Sequence, residues 1–131
     1  MAVPIVSPAD VPVQAMPGRT LQWLATAETL GAQRLSMCRM VCPPGATVRP
    51  VHAHRDTEEL VYVLEGQGEA WVEGEVGTFR AGDVVLFPAN AKHAVRNTGT
   101  VPLVAACFFA PATRAESYLF YEDIDPWPEK A

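Results

Sequence analysis

The chain has 131 residues, 49% of them hydrophobic, and a formal net charge of −5. That length and apolar content suit one domain with one core, and the acidic balance supplies no basic footprint for nucleic acid. The longest apolar stretch, Val101 to Ala112, is broken by Pro102 and Pro111 and falls short of the roughly 18 residues that a membrane-spanning helix needs.

Residues 1–18 carry Pro4, Pro8, Pro12 and Pro17, too many for a helix or a central strand, so they are expected to form an extended arm over the domain. The arm has no positive region followed by an apolar run, so a cytoplasmic location is expected. From Thr20 onward the pattern is β. Short apolar runs at Leu21–Leu24, Leu35–Val41, Leu60–Leu64, Ala70–Val72, Val76–Phe79, Val84–Phe87, His93–Arg96 and Leu103–Phe109 are separated by Gly, Pro and Asn turns. Many short strands at such spacing predict a sandwich or barrel. Pro43-Pro44-Gly45 ends one strand, Glu73-Gly74-Glu75 reads as a hairpin tip and Ala81-Gly82-Asp83 as a tight turn. The only helical patch expected is Ala112 to Tyr118. The boundaries are an arm over 1–18, a barrel over 19–111, and a tail over 112–131 packed on the barrel or on a neighbouring subunit.

The three cysteines, Cys38, Cys42 and Cys107, form an odd set without a disulfide framework, which suits a reducing compartment. Cys38, Met40 and Cys42 share one strand face and read as small buried hydrophobes.

All three histidines fall where a metal site needs them. In an extended strand His52 and His54 project to the same side and can aim two imidazoles at one point. His93 follows the turn Pro88-Ala89-Asn90 on a later strand, and Glu58 and Glu59 precede an apolar run. Strand alternation sets Glu59, Val61 and Val63 on one face and Glu58, Leu60, Tyr62 and Leu64 on the other. No Ser-His or Cys-His catalytic pair can be built without removing a histidine from this set.

These residues resemble the cupin superfamily of small jelly-roll barrels. The first motif of that family is matched by Gly45, His52-Ala53-His54, Glu59 and Gly66, and the second by Gly82, Pro88, His93 and Asn97. The first spacer holds six residues where five are usual, and Asn90 stands where the second motif has a glycine. Asn is the residue that best tolerates a left-handed turn after glycine. The resemblance implies an all-β, double-stranded β-helix (jelly-roll) barrel with one divalent metal ion on His52, His54, Glu59 and His93. Glu59 is preferred to Glu58 because it alone has the six-residue spacing to Gly66.

Three neutral imidazoles and a carboxylate suit Fe(II) or Mn(II), with Zn(II), Ni(II) and Co(II) as further options. An octahedral ion would keep two adjacent positions open. The expected function is a metal-dependent enzyme on a small organic substrate, with a dioxygenase acting on a chelating enol, diol or diketone placed first. A cyclase, lyase or isomerase using the ion as a Lewis acid is the alternative, followed by a non-catalytic module that binds a small ligand. Fold alone does not separate these.

Among other residues, Arg39 is read as either a cation for an anionic substrate or an outward, solvated arginine. Arg49 and Lys92 are placed at the rim, Tyr62 in packing and Asn97 in a turn. Trp71, Phe79, Phe87, Phe108 and Phe109 are assigned to the core. The apolar arm and the aromatic tail, Tyr118 through Trp127, predict a homodimer built through these end segments.

Overall fold

Alternating inward apolar residues build two antiparallel sheets that close on one another. The computed structural model describes residues 2–113 and 117–128. Its strands are β1 (Gln14–Met16), β2 (Arg19–Ala25), β3 (Ser36–Cys42), β4 (Val51–His54), β5 (Glu58–Glu65), β6 (Gln67–Val72), β7 (Glu75–Arg80), β8 (Val84–Phe87), β9 (His93–Asn97), β10 (Leu103–Ala110) and β11 (Tyr118–Tyr121). One sheet has the order β1-β2-β3-β10-β5-β8 and the other β11-β4-β9-β6-β7. This is the jelly-roll barrel expected from the sequence.

The core fills the space between the sheets. Leu21, Met40, Val61, Val63, Phe79, Phe87, Val95, Leu103 and Phe109 are buried there together with Cys38, Cys42 and Cys107. The three thiols are free, and they behave as the small hydrophobes the alternation predicts. A second, smaller cluster lies outside the β4–β9 sheet, where Trp127 covers Val51 and Ala94, with Trp71, Tyr121 and Ile124 against it. The tail therefore folds on its own barrel.

Four expectations are corrected. The arm is not simply extended, because Pro8–Asp10 forms a 3-10 turn and Gln14–Met16 pairs antiparallel with β2 as an edge strand. A short helix, α1 (Ala27–Leu30), was not foreseen. Thr26 and Thr29 close its N-terminus reciprocally and Gly31, at φ 72°, ends it. One turn is too short to show helical periodicity, so capping chemistry is its only sequence signal. In the expected helical patch, residues 114–116 lie outside the described residues, while Tyr118 opens a strand. Phe108 is not core. It alternates outward and is 41% exposed, whereas its neighbour Phe109 is buried. Among the described residues no helix is long and apolar enough to cross a membrane.

The turns follow their residue chemistry. Glu73 and Gly74 both have positive φ, 46° and 94°, the conformation that lets a two-residue hairpin match strand twist. Gly66 sits at φ 89°, and a Cβ there would lie 2.8 Å from the Pro102 carbonyl oxygen, so this motif glycine is required for both conformation and space. Asn97 is buried. Its amide donates to the carbonyls of Cys42 and Val101 at 3.0 and 2.8 Å and accepts from the Gly99 N–H at 2.8 Å, so it ties together the chain segments that bring β9 to the site.

Candidate metal centre

β4 carries His52 and His54 to the barrel interior, while Val51 and Ala53 face outward. β9 begins with His93, which lies directly opposite His52 in the strand register. The facing sheet supplies Glu59 from β5, where burial alternates so that Glu59, Val61 and Val63 point inward. The three imidazoles pack with ring centroids 4.5 to 5.2 Å apart. One ligand atom from each lies within 4.8 Å of the others, all buried. Glu59 Oε1 sits 3.0 Å from His54 Nε2 and 3.4 Å from His93 Nε2.

Backbone carbonyls fix the tautomers of two rings. His52 Nδ1 is 2.9 Å from the Pro50 oxygen and His93 Nδ1 is 3.1 Å from the Ala91 oxygen. A carbonyl can only accept, so each Nδ1 carries the proton and each Nε2 presents a lone pair. His93 Nε2 then faces the Glu59 carboxylate with no proton between them, and it has no hydrogen-bond partner although it is fully buried. His54 Nδ1 is likewise without one. Unpaired buried acceptors cost free energy unless a cation or proton compensates them. The residues therefore fit a divalent ion held by His52, His54 and His93, with Glu59 beside it.

The electrostatics agree. The His52 imidazole is pushed down to about 3, first by burial and then by its neighbour His93, so it is a neutral donor at ordinary pH. Burial works against ionisation of Glu59, but the hydrogen bond from His54 and the adjacent His93 imidazole outweigh it and hold the carboxyl well below its usual range. In the metal-free protein His52 protonates readily only when unfolded. The unfolded chain thus binds the extra proton between pH 6.5 and about 3, and stability must fall as pH drops through that window. The depressed Glu59 carboxyl acts in the same direction. With a chelator present, the unfolding free energy read from urea titrations should fall between pH 7 and 4, by about 3 kcal/mol from His52. His52→Gln should flatten the slope, and a flat wild-type profile would contradict this account.

The turn beyond β4 is tied across the site. Asn90 adopts φ 67°, accepts from the Asp56 N–H at 2.9 Å through its side chain and donates from its backbone to the His54 carbonyl at 3.0 Å. The asparagine that replaces the motif glycine thus keeps the left-handed turn and adds a link to the histidine strand.

Aromatic rings wall the site. Phe87 stacks on His93 at 4.0 Å and 8°, and Phe109 meets His54 edge-on at 5.0 Å. Glu58 and Tyr62 are exposed on the outer face, and Arg39 is also exposed and outward, the solvated alternative. Arg49 pairs with Asp125 at 3.7 Å, and Lys92 lies 4.8 Å over the Tyr121 ring. Trp71 is only partly buried, on the outer side beneath the tail.

Two pocket residues escaped the sequence reading. Tyr118 on β11 lies 4.5 Å from the His54 ring and stacks on His52 at 5.5 Å and 15°. Burial and the charge of Glu59 push its hydroxyl pKa far up, so it stays protonated. Arg19, at the start of β2, is 5% exposed and lines the same cavity. Its Nη1 donates to the Arg49 and Pro17 carbonyls at 2.9 and 3.1 Å, which braces the chain leading into β4. Neither belongs to a motif; their only signals were an arginine opening an apolar strand and an aromatic cluster in the tail.

The cavity at the histidines is about 40 Å³, room for an ion with a few small ligands. A larger cavity of about 540 Å³, walled by Met16, Trp23 and Phe120 among others, shares Leu21 and Tyr118 with it.

A cupin-domain family model matches residues 38–109. Protein SchB of Streptomyces halstedii is 35% identical over 97 residues, covering 74% of this chain and 70% of that protein. Polyketide synthase CurC of Streptomyces cyaneus is 35% identical over 82 residues, covering 63% and 53%. An oxalate-binding protein of Thermotoga maritima is 31% identical over 80 residues, covering 61% and 65%. The chain thus spans roughly half to two thirds of the length of these curated relatives. Among solved structures, Pac13 of Streptomyces, a nucleoside dehydratase seen with uridine, superposes with a TM-score of 0.81 at 15% identity over 96% of each chain. Oxalate decarboxylase of Lactobacillus farciminis, as a formate complex, gives 0.76 at 23% identity over 94% of this chain and 36% of that one. With its histidine strand, facing carboxylate and two-sheet barrel, this chain belongs to the cupin family.

Proposed function

We propose that the protein is a metal-dependent enzyme that rearranges, cyclises or eliminates from a small enolisable substrate without consuming oxygen. The observation that carries the reading is the unpaired Nε2 of His93 turned toward an ionised Glu59 beside two further imidazoles. His52, His54, His93 and Glu59 would hold one divalent cation, which supplies Lewis acidity that makes a neighbouring enol or diol hydroxyl easier to ionise.

The remaining residues suit proton chemistry. Tyr118 stays protonated beside the histidines, so it is a hydrogen-bond or proton donor to an ionised substrate oxygen. Arg19 adds positive charge to a cavity whose lining away from the histidines, Glu59 and Tyr118 is apolar, where charge interactions are weakly screened. Phe87 and Phe109 exclude water. The inner cavity admits only the reacting end of a substrate, and the larger cavity past Tyr118 has room for its carbon skeleton. The non-oxidative reading is further supported by the relatives, whose names include a polyketide synthase, a nucleoside dehydratase and an oxalate decarboxylase.

The test is turnover of a panel of β-diketones, polyphenols and oxalate by protein loaded with Zn(II), Mn(II) or Fe(II). Turnover that continues without oxygen and with redox-inert Zn(II) is expected. Activity that needs both oxygen and iron would replace this reading with the dioxygenase expected from the sequence.

A further inference from the structure

Arg19 is a buried cation that the fold leaves without an anion. It opens β2, outside the residues 38–109 matched by the family model, and is 5% exposed. None of the ion pairs among the described residues includes it. Taking a guanidinium out of water is costly unless a counter-charge and hydrogen bonds meet it, and the chain supplies only part of that. A guanidinium carries five N–H donors. Nη1 gives its own to the Pro17 and Arg49 carbonyls, whereas Nε and Nη2 donate to no described group.

The cavity of the metal centre is where that free edge can find a partner. Arg19 lines it with Leu21, Val48, Tyr118 and the histidines. Burial lowers the guanidinium pKa, and the nearby Tyr118 and Glu59 act to raise it again, so these polar groups share one space. Arginine nevertheless stays charged in proteins. Among the described residues, Glu59 is the acidic side chain on this cavity. A divalent ion would bring two positive charges and Arg19 a third, against the one carboxylate of Glu59 and a neutral imidazole at His52. An ionised enol on the ion cancels only part of that surplus. A second anionic group is needed to cancel the rest.

Resting on the reading of the site as a metal centre for an enolisable substrate, we propose that Arg19 is a substrate-binding residue whose Nε–Nη2 edge takes a carboxylate, so that the substrate is an enolisable oxo acid rather than a neutral diketone or polyphenol. The planar fork matches a carboxylate through two parallel N–H···O bonds, and weak screening in the interior strengthens the pair. The Pro17 and Arg49 carbonyls already hold the guanidinium through Nη1, so little side-chain freedom is left to lose on binding. With the enol end at the ion and the carboxylate at Arg19, the substrate is fixed at two points.

The test is calorimetric titration of the Mn(II)-loaded full chain with acetylacetone and with its carboxylated relatives acetopyruvate and succinylacetone, which set the carboxylate at two distances from the chelating diketone. The better of the two acids should bind wild type roughly 10- to 100-fold more tightly than acetylacetone, as a charge-assisted bidentate pair supplies. In Arg19→Gln that preference should vanish while metal content stays unchanged. Loss of a mere brace would instead weaken all three ligands alike and leave the preference in place. If Arg19→Gln does not fold, Arg19→Lys, which keeps the charge but not the fork, should cut the preference at least about threefold. Absence of a preference in wild type, or a preference that survives undiminished in the folded variant, would overturn the assignment of Arg19 while leaving the metal-dependent reading intact. Failure of all three ligands to bind the Mn(II)-loaded protein would overturn that reading and this proposal with it.

Discussion

His52→Ala/His93→Ala is expected to abolish stoichiometric metal binding while leaving a folded barrel. These two rings have their Nδ1 protons committed to the Pro50 and Ala91 carbonyls, so both Nε2 lone pairs point to the site and removing them takes away two ligands at once. Losing a group that merely orients a ligand typically costs 10- to 100-fold in affinity, so removing two ligands together should reduce it by at least about 10³-fold. Glu59→Gln should weaken binding as well, since the amide keeps the shape but loses the charge. Glu58→Gln should not, because Glu58 lies on the opposite face of β5. Wild type, but not the double variant, should also gain thermal stability from added ion, as any ligand that binds only the folded state requires. Elemental analysis after dialysis, with thermal unfolding alongside, reads both effects. Unchanged metal content in the double variant would remove the site as assigned.

The largest effect on stability away from the metal should come from Asn97→Ala. The side chain is 2% exposed and makes three hydrogen bonds to backbone, one to the end of β3 at Cys42 and two within the turn that follows Asn97, at Gly99 and Val101. Truncation leaves the Cys42 and Val101 carbonyls and the Gly99 N–H without that partner. An unsatisfied buried group costs roughly 1–3 kcal/mol, so the total should be about 3 kcal/mol after some rehydration. Asn97→Asp should also destabilise, because a carboxylate cannot donate to either carbonyl. Denaturant unfolding checks both variants, and a loss below about 1 kcal/mol for Asn97→Ala would show that the network is dispensable.

The strands were legible where one face is buried and the two-residue period holds: β3 and β5 alternate along their length, whereas β10 is buried on both faces as far as Cys107 and alternates only beyond it. His52, His54, Glu59 and His93 were legible for a related reason, since histidines and a carboxylate interrupt apolar strands only where something other than packing uses them. Three features resisted. Short edge strands such as β1 and β11 have too few residues for a period to emerge. Tyr118 and Arg19 reach the cavity from β11 and β2, segments far from the motifs in sequence, and only register brings them in. Phe108 and Phe109 are alike in chemistry and differ only in parity, so as neighbours on one strand they project to opposite faces and only Phe109 is buried. The same alternation leaves an apolar outer face on β5, β8 and β10, which composition alone does not distinguish from core.

Whether the three histidines and Glu59 hold a divalent cation is decided by the metal content of wild-type protein purified without added ion or nickel resin. Elemental analysis should find one equivalent of a divalent transition metal per chain, removed by chelator and restored on reloading with Mn(II) or Fe(II). Protein that carries no ion and takes up none from a stoichiometric excess would contradict the account, leaving the lone pair of His93 and the carboxylate of Glu59 to be explained by a shared proton instead.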